Sequence, residues 1–426
     1  MLDVTYIRNH IEHVKEGMRN KGAKNSEIVD KLVETDEAWR SLVKETDDLR
    51  SESNTKAQKI GELMGQGKQE EAQEIIQYTS KLKTDIKEKE EKLNKLKQER
   101  ERLLLQIPNV PHKSVPVGHS EEDNEVFKTW GTPAESDERL PHWELVEEQG
   151  WIDFERGSKV TGAGFPFYVG PIAKLQRALI NYFLNKAGEQ GYTELQVPYF
   201  INEDSARGTG QIPDKEDMMY EIPRDDFFAI PTAEVPVTNF HRDEILPKKD
   251  LPVKYVAYTP CWRREAGSYG KDVRGLNRLH QFDKVELVKM VQPDTAFDEL
   301  ESLREYVESL LEELEIPYRT LLMCTGDMGF TQSKKYDLEV WSPAQERWLE
   351  VSSCSNFGSF QARRMMLRFR NDEGDTETLH TLNGSGLALP RVLAAILEIY
   401  QQEDGNIQVP DVLQPFMGTD IIGTNE

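Results

Sequence analysis

Two long runs of seam-spaced residues constrain this chain before anything else does. In the first, Ile28, Leu32, Thr35, Trp39, Leu42, Thr46 and Leu49, then Ile60 and Leu63, recur mostly at steps of four and three. That spacing places them along one stripe of a long helix. The second run holds Ala72, Ile75, Thr79, Leu82, Ile86, Leu93, Leu96, Leu103 and Ile107. Between the runs, "MGQGK" supplies Gly65 and Gly67, which suit a helix stop and a tight reversal. The second run ends at "IPNVP", whose two prolines terminate a helix. Two helices of about 36 residues, each roughly 54 Å long, should fold back as an antiparallel coiled coil. Such an arm projects from a domain and cannot be its core.

An arm of this kind serves equally as a spacer or a dimerisation element. One detail points elsewhere. From Lys81 to Arg102 there are nine basic and six acidic residues, although the chain carries a net charge of -23. Lys56, Lys59 and Lys68 fall near the tip. A locally positive helix is compatible with reading a nucleic-acid backbone.

At 426 residues the chain accommodates two or three domains. It divides near Pro108 into an arm, 1–108, with the coiled coil over about 28–106, and one body, 109–426. No apolar run approaches the roughly 18 residues of a membrane span. The start, MLDVTYIRNH, has no apolar signal core, so the expected location is cytoplasmic, with no membrane partner. Cys261, Cys324 and Cys354 lie far apart with no C-x-x-C pair. They fit a reducing compartment, and no zinc is expected. The acidic balance excludes indiscriminate nucleic-acid binding but not binding through a local basic surface.

In the body, an amphipathic helix is expected over about 171–189, followed by a strand interrupted by Pro198, and a charged helix over roughly 294–314. Strands do not alternate regularly with helices, which argues against a doubly wound sheet. The expected class is α+β: the coiled-coil arm plus a mostly antiparallel sheet flanked by helices.

"YTPCWRRE" reads as a strand, which puts Thr259, Cys261, Arg263 and Glu265 on one side. After a loop from Ala266 to Leu276 comes "NRLHQFDKVELV". Its alternation puts Arg278, His280, Phe282, Lys284 and Glu286 on one face, and Leu279, Gln281, Asp283, Val285 and Leu287 on the other. Cations suit phosphates, a ring suits a base, and a carboxylate suits an ammonium or a hydroxyl. The same face also reads as a solvated sheet with cross-strand salt bridges, although Phe282 and the Gly-rich loop fit that poorly. Further on, "TLNGSGLALPRVLAAILEIYQ" reads as a Gly loop running into a helix, with Pro390 in the first turn. Arg391 there makes an anion site, or the segment is a core helix with an ordinary glycine lead-in. Between these lies "LEVSSCSNFGSFQARR", whose Glu350 and serines suit a hard cation.

Together these segments resemble the class II aminoacyl-tRNA synthetases. "CWRREAG" with "RLHQFDKVE", about 255–289, resembles motif 2. "NGSGLALPRVLAAILE", about 380–400, is similar to motif 3. The helix and strand ending in "QVPYF", about 171–200, look like motif 1, whose proline lies at the dimer interface. "TAE" at 232–234, "EVSSCSNF" at 350–357 and the two-helix arm narrow the likeness to the bacterial-type seryl-tRNA synthetase family. The likeness covers nearly the whole chain.

The resemblance implies a homodimeric ligase that activates L-serine with ATP to seryl-adenylate and transfers it to tRNA(Ser), and also to tRNA(Sec). It implies a serine pocket of Thr232, Ala233, Glu234, Arg263, Glu286, Asn383 and Ser385. ATP would be held by Arg263, Arg264, Glu265, Leu279, Phe282, Glu350, Val351, Ser352, Ser353 and Arg391. Arg263 bridges the serine carboxylate and the α-phosphate, and Arg391 holds the γ-phosphate; these two stabilise charge during catalysis. Glu350 and Ser353 hold Mg2+. Simple strand alternation would pair Glu350 with Ser352, so that assignment requires a bulge or loop between them. Trp262 stands where Phe is usual in the family and Arg264 where Ser is usual; on the face opposite Arg263, both should alter packing rather than chemistry. Pro390 replaces a Gly and removes a backbone N–H that a first helical turn tolerates.

Overall fold

The computed structural model describes residues 1–134, 139–213, 216–265 and 274–423. The chain forms two compact units, Met1–Arg19 with Ala23–Pro108, and Asn20–Gly22 with Asn109–Glu426.

In the first unit two short helices, α1 (Val4–Asn9) and α2 (Ile11–Asn20), precede two long ones, α3 (Ile28–Gly65) and α4 (Gln69–Leu104). The reversal is made by residues 66–68. Gly67 has φ +76° and the Lys68 N–H returns to the Leu63 carbonyl at 3.0 Å, so the last carbonyls of α3 are satisfied by a left-handed glycine turn. Leu32, Thr46 and Leu63 on α3, and Ala72, Thr79, Leu82 and Leu103 on α4, are buried. Threonine is tolerated in this seam because Thr46 and Thr79 donate to the carbonyls of Leu42 and Ile75, at 2.7 and 2.8 Å. The pairs Lys31–Glu99, Lys89–Glu45 and Arg50–Glu90 join low numbers on α3 to high numbers on α4, the signature of an antiparallel pair. Periodicity does not disclose one feature of the seam. Asp36, with 2% of its side chain exposed, accepts from Arg8 of α1, Arg40 of α3 and Arg100 of α4 at 2.7–3.0 Å.

The second unit is built on an eight-stranded sheet. Its strands in chain order are β1 (Glu125–Trp130), β2 (Thr193–Glu194), β3 (Val253–Trp262), β4 (Gln281–Val291), β5 (Tyr318–Leu322), β6 (Lys334–Ser342), β7 (Arg347–Asn356) and β8 (His380–Ala388). Their spatial order is β1-β5-β6-β7-β8-β4-β3-β2. Every pairing is antiparallel except the short β2, which runs parallel to β3 at the edge. Pro198 follows β2, and the chain after it, Phe200–Ile201, joins a separate small sheet; proline cannot supply the N–H a continuing ladder needs.

The helices that matter for the site are α5 (His142–Glu148), α6 (Gly170–Glu189), α7 (Glu203–Thr209), α8 (Ala296–Glu313) and α9 (Leu389–Ile399). Leu175 and Phe183 of α6, Leu303 and Leu310 of α8, and Leu393 and Leu397 of α9 share one core with Val285 and Leu287 of β4. The alternate residues of β4, Phe282, Lys284 and Glu286, line the cavity described below, and Phe282 also packs against the edge of that core.

The expected Gly loop over "TLNGSGLA" is corrected by the structure: the segment is β8, paired between β7 and β4. Its glycines answer to packing. A Cβ on Gly384 would lie 3.2 Å from both Cys354 Sγ and Leu303, and one on Gly386 would lie 2.9 Å from Leu287. Gly in a central strand marks such close approach.

Candidate active site

A cavity of about 470 Å³ lies over β3, β4, β7 and β8. One end of it is a small ionic pocket. Glu286, 1% exposed, has the Lys284 ammonium at 2.5 Å and accepts from Asn383 Nδ2 at 3.1 Å. Lys284 also donates to Thr232 Oγ1 at 2.8 Å. Burial pushes the Glu286 carboxyl up, opposed by Lys284 and Arg263. Asn383 Oδ1 is buried without a hydrogen-bond partner among the described residues. A buried acceptor left open beside an ion pair is costly unless something donates to it. The pocket therefore suits a small ligand carrying donors of its own.

The other end gathers cations and oxygen donors. Arg263 follows the last residue of β3. Its Nε donates to the Pro231 carbonyl at 3.2 Å, and its guanidinium lies 5.1 Å from the centre of the Phe282 ring. Arg391, in the first turn of α9, donates to the carbonyls of Asn277 and Glu350 at 3.1 and 2.7 Å. Ser353 donates to Glu350 Oε1 at 3.1 Å. The bulge that this pair requires is present: β6 meets β7 in register at Leu338↔Ser352 and next at Glu339↔Glu350, so Val351 is the extra residue. Glu350 and Ser353 thereby share a side, while Ser352 turns inward to the Ser385 carbonyl at 2.6 Å. Glu350 sits within the protein envelope yet has 46% of its side chain accessible, because it faces the cavity. Burial would raise its carboxyl, but Lys335 and Arg391 outweigh that and hold it below the usual range. An ionised carboxylate and a hydroxyl on one side of a strand make a fitting donor set for a hard divalent cation.

Thr232, Glu234, Arg263, Glu265, Leu279, Phe282 and Glu286 line the cavity, as do Glu350, Val351, Ser352, Ser353, Asn383, Ser385 and Arg391. Two expected residues do not. Ala233 is fully buried in a second apolar cluster. Arg264 is exposed, and its backbone N–H donates to the Met218 carbonyl at 2.9 Å. Trp262 packs beside Tyr199 and donates to Gln281 at 3.1 Å.

The strand alternation expected around motif 2 also needs correction. β3 ends at Trp262, and Glu265 reaches the cavity through a left-handed turn, φ +47°, held by Arg278 at 2.9 Å. A non-glycine residue there carries strain that the surroundings must support. β4 begins only at Gln281, so the consecutive Arg278 and Leu279 both line the cavity. His280 turns instead to Tyr220 at 2.7 Å and stacks on Phe165. Of the loop Ala266–Leu276, residues 266–273 lie outside the described residues.

Sequence reasoning missed Lys335, which reaches the cavity from β6 and pairs with Asp337 at 2.7 Å. It also missed two facing turns. Gly210, φ +90°, caps α7, and a Cβ there would lie 2.4 Å from Thr331 of the turn 329–332. "GTGQ" and "GFTQ" are glycine-bearing turns that nothing in the sequence ties together.

Known proteins match this chain along its length. Residues 1–111 match the seryl-tRNA synthetase N-terminal domain, and residues 219–400 match the tRNA synthetase class II core domain (G, H, P, S and T). The chain is 58% identical to a serine–tRNA ligase of Salinibacter ruber, over 99% of each chain. It is 48% identical to that of Geobacter sulfurreducens, over 98% of this chain and 99% of the relative. Among solved structures, seryl-tRNA synthetase from Pyrococcus horikoshii, complexed with ATP, superposes with a TM-score of 0.94 at 36% identity, with all of both chains covered. An ATP-dependent ligase core on an antiparallel sheet, a seryl-specific arm domain and full-length identity of this degree place the chain in the seryl-tRNA synthetase family, the class II serine–tRNA ligases.

Proposed function

We propose that the cavity binds serine in the Glu286 pocket and ATP along Phe282, Arg263 and Arg391, and that the serine carboxylate attacks the α-phosphorus there while its bond to the α,β-bridging oxygen breaks, giving seryl-adenylate and releasing pyrophosphate. The observation that carries this is the arrangement of one cavity: a buried acceptor pair at one end, and cations with oxygen donors at the other. Serine would set its ammonium and hydroxyl against Glu286, Thr232 and Asn383. Its carboxylate would then project toward Arg263, which lies beyond the end of β3. The P. horikoshii relative was solved with ATP, which supports ATP as a ligand. Phe282 offers a ring to adenine, Glu265 an acceptor to the adenine or ribose side, and Arg391 a cation to the γ-phosphate.

The chain's own work is positioning and charge stabilisation. Bringing carboxylate and phosphate together removes an entropic barrier, and Arg263 neutralises charge that both groups share as they approach. A magnesium ion held by Glu350 and Ser353 would supply further charge neutralisation on the phosphates. The seryl group then passes from the adenylate to the 3′ end of tRNA(Ser), and the same chemistry serves tRNA(Sec). The arm reads tRNA through its basic second helix, and a homodimer forms through the motif 1 region, where Phe200 is 53% exposed.

The test is serine-dependent ATP–pyrophosphate exchange, followed by charging of tRNA(Ser) and tRNA(Sec). Exchange with serine, and not with alanine or threonine, is expected. Exchange independent of the amino acid would refute the pocket assignment.

A further inference from the structure

Arg391 shares its helix face with a buried carboxylate. Glu398 lies seven residues further along α9, two turns on and so on the same side. It is fully buried. His142, at the start of α5 and equally buried, meets Glu398 Oε1 through Nδ1 at 2.8 Å and through its backbone N–H at 3.1 Å. Its other ring nitrogen, Nε2, accepts the Leu276 N–H at 2.9 Å. Because Nε2 accepts, the ring proton on Nδ1 is donated to the carboxylate. Gln345 donates to the same Glu398 oxygen at 3.1 Å and accepts from Asn277 Nδ2 at 2.8 Å. The Ser342 hydroxyl donates to Glu398 Oε2. The Asn277 carbonyl accepts from Arg391 Nε at 3.1 Å.

These bonds close a loop: Arg391 to Asn277, to Gln345, to Glu398 and back along α9. Residues 276–277 are held at backbone and side chain by His142, Gln345 and Arg391, the first two anchored on Glu398 and the third on the same face of α9. The approach is close enough to demand glycine. A Cβ on Gly275, φ +60°, would lie 2.3 Å from His142 Nε2. Burial would raise the Glu398 carboxyl, but the bonds from His142 and Ser342 hold it below the usual range. The carboxylate is thus kept as an acceptor for the whole cluster.

We propose that His142 and Glu398 are positioning residues for ATP, which hold Leu276 and Asn277 so that Leu279 and Arg391 face the nucleotide. This rests on the reading of Arg391 as a phosphate contact. A merely structural pair would affect stability alone, or both substrates equally.

Three variants of the full chain, measured by serine-dependent ATP–pyrophosphate exchange and thermal melting, decide it. H142N keeps a donor for Glu398 and loses the acceptor for Leu276. H142Q sets an amide oxygen near the place of Nε2 and restores that acceptor. Q345L cuts the link from Glu398 to Asn277 without touching the histidine. H142N should raise the KM for ATP about tenfold, the loss of one buried hydrogen bond, with the KM for serine unchanged. H142Q should recover most of this, and Q345L should show the same split more weakly. R391A tests the underlying reading separately. If R391A weakens ATP while the other variants match the unmodified chain, shift both KM values together, or lower only the melting temperature, the positioning role is overturned and the phosphate reading stands. If R391A leaves the KM for ATP unchanged, the reading of the site is wrong and the proposal falls with it.

Discussion

On the proposed reading, Arg263 and Glu286 divide the chemistry between them. On that reading Arg263 lies where a carboxylate and a phosphate would meet, and its charge acts on both Glu286 and Glu350. Arg263→Ala should lower the rate of serine-dependent pyrophosphate exchange by about 10²–10³-fold, the usual cost of losing a transition-state charge contact. An exchange rate within a few-fold of the unmodified chain would remove Arg263 from the reaction. Glu286 is different, because its partners Lys284 and Asn383 hold it in the ground state. Glu286→Ala should raise the KM for serine by about 10–100-fold, the worth of a charge-assisted hydrogen bond, and leave the KM for ATP near its original value. Equal losses for both substrates would move Glu286 out of the serine pocket. A pocket that hydrogen-bonds a hydroxyl rejects the analogue lacking it strongly.

The long helices of the arm are joined by more than a greasy seam. Asp36 is buried among three guanidiniums, and Arg100 also covers the Trp39 ring at 5.1 Å. Burial alone would raise the Asp36 carboxyl, but Arg100 and Arg40 dominate and hold it below its ordinary range. A carboxyl depressed on folding stabilises the arm fully above the unfolded value of about 3.9. That contribution is lost as pH falls through the lower folded value. Hydrogen exchange of the arm amides in the full chain should therefore be pH-insensitive in its protection near neutrality and lose protection in acid below about 3.9. In Asp36→Ala the protection should already be reduced at neutral pH, by an amount at the lower end of about 3–5 kcal/mol, because the guanidiniums are 27–47% exposed and water takes up part of their charge. Unchanged protection in the variant would make the cluster incidental.

For the molecule as a whole, the proposed reading assigns serine activation and tRNA reading to different units. All residues that line the cavity follow Pro108. Replacing residues 30–100 with a short Gly linker should leave serine-dependent pyrophosphate exchange largely intact and greatly weaken tRNA charging, mainly through tRNA affinity. Lys83, Lys87 and Lys95 are exposed on α4 and make no ion pair among the described residues. Neutralising them should reproduce part of the loss. Each lost phosphate contact should remove about 0.7–0.9 from the log–log salt slope of tRNA binding. A folded truncation that charges tRNA as well as the full chain would make the arm a spacer.

Much of this was legible in the residues alone, and the rest shows where local pattern stops. The four-three spacing from Ile28 to Ile107 dictated two long antiparallel helices, because a stripe of that period can be buried only against a partner of the same period. The motif residues Arg263, Phe282, Glu286, Glu350 and Arg391 were nameable from their neighbours in the chain, since each motif is a contiguous run. Three things were not. Glycines 384 and 386 read as a loop and proved to be a central strand, because what demands them, Cys354, Leu303 and Leu287, comes from other elements. The route of Glu265 into the cavity depends on a positive φ that Arg278 supports, whereas alternation assumes the strand simply continues. His142 lies 256 residues before Glu398 and Lys335 lies between them in the chain on another strand, and no period or motif connects the three. Local hydrogen bonding and apolar spacing decide elements one at a time. Which charges meet is decided by sheet order, β6-β7-β8-β4-β3, and that order brings together side chains whose separation along the chain carries no signal.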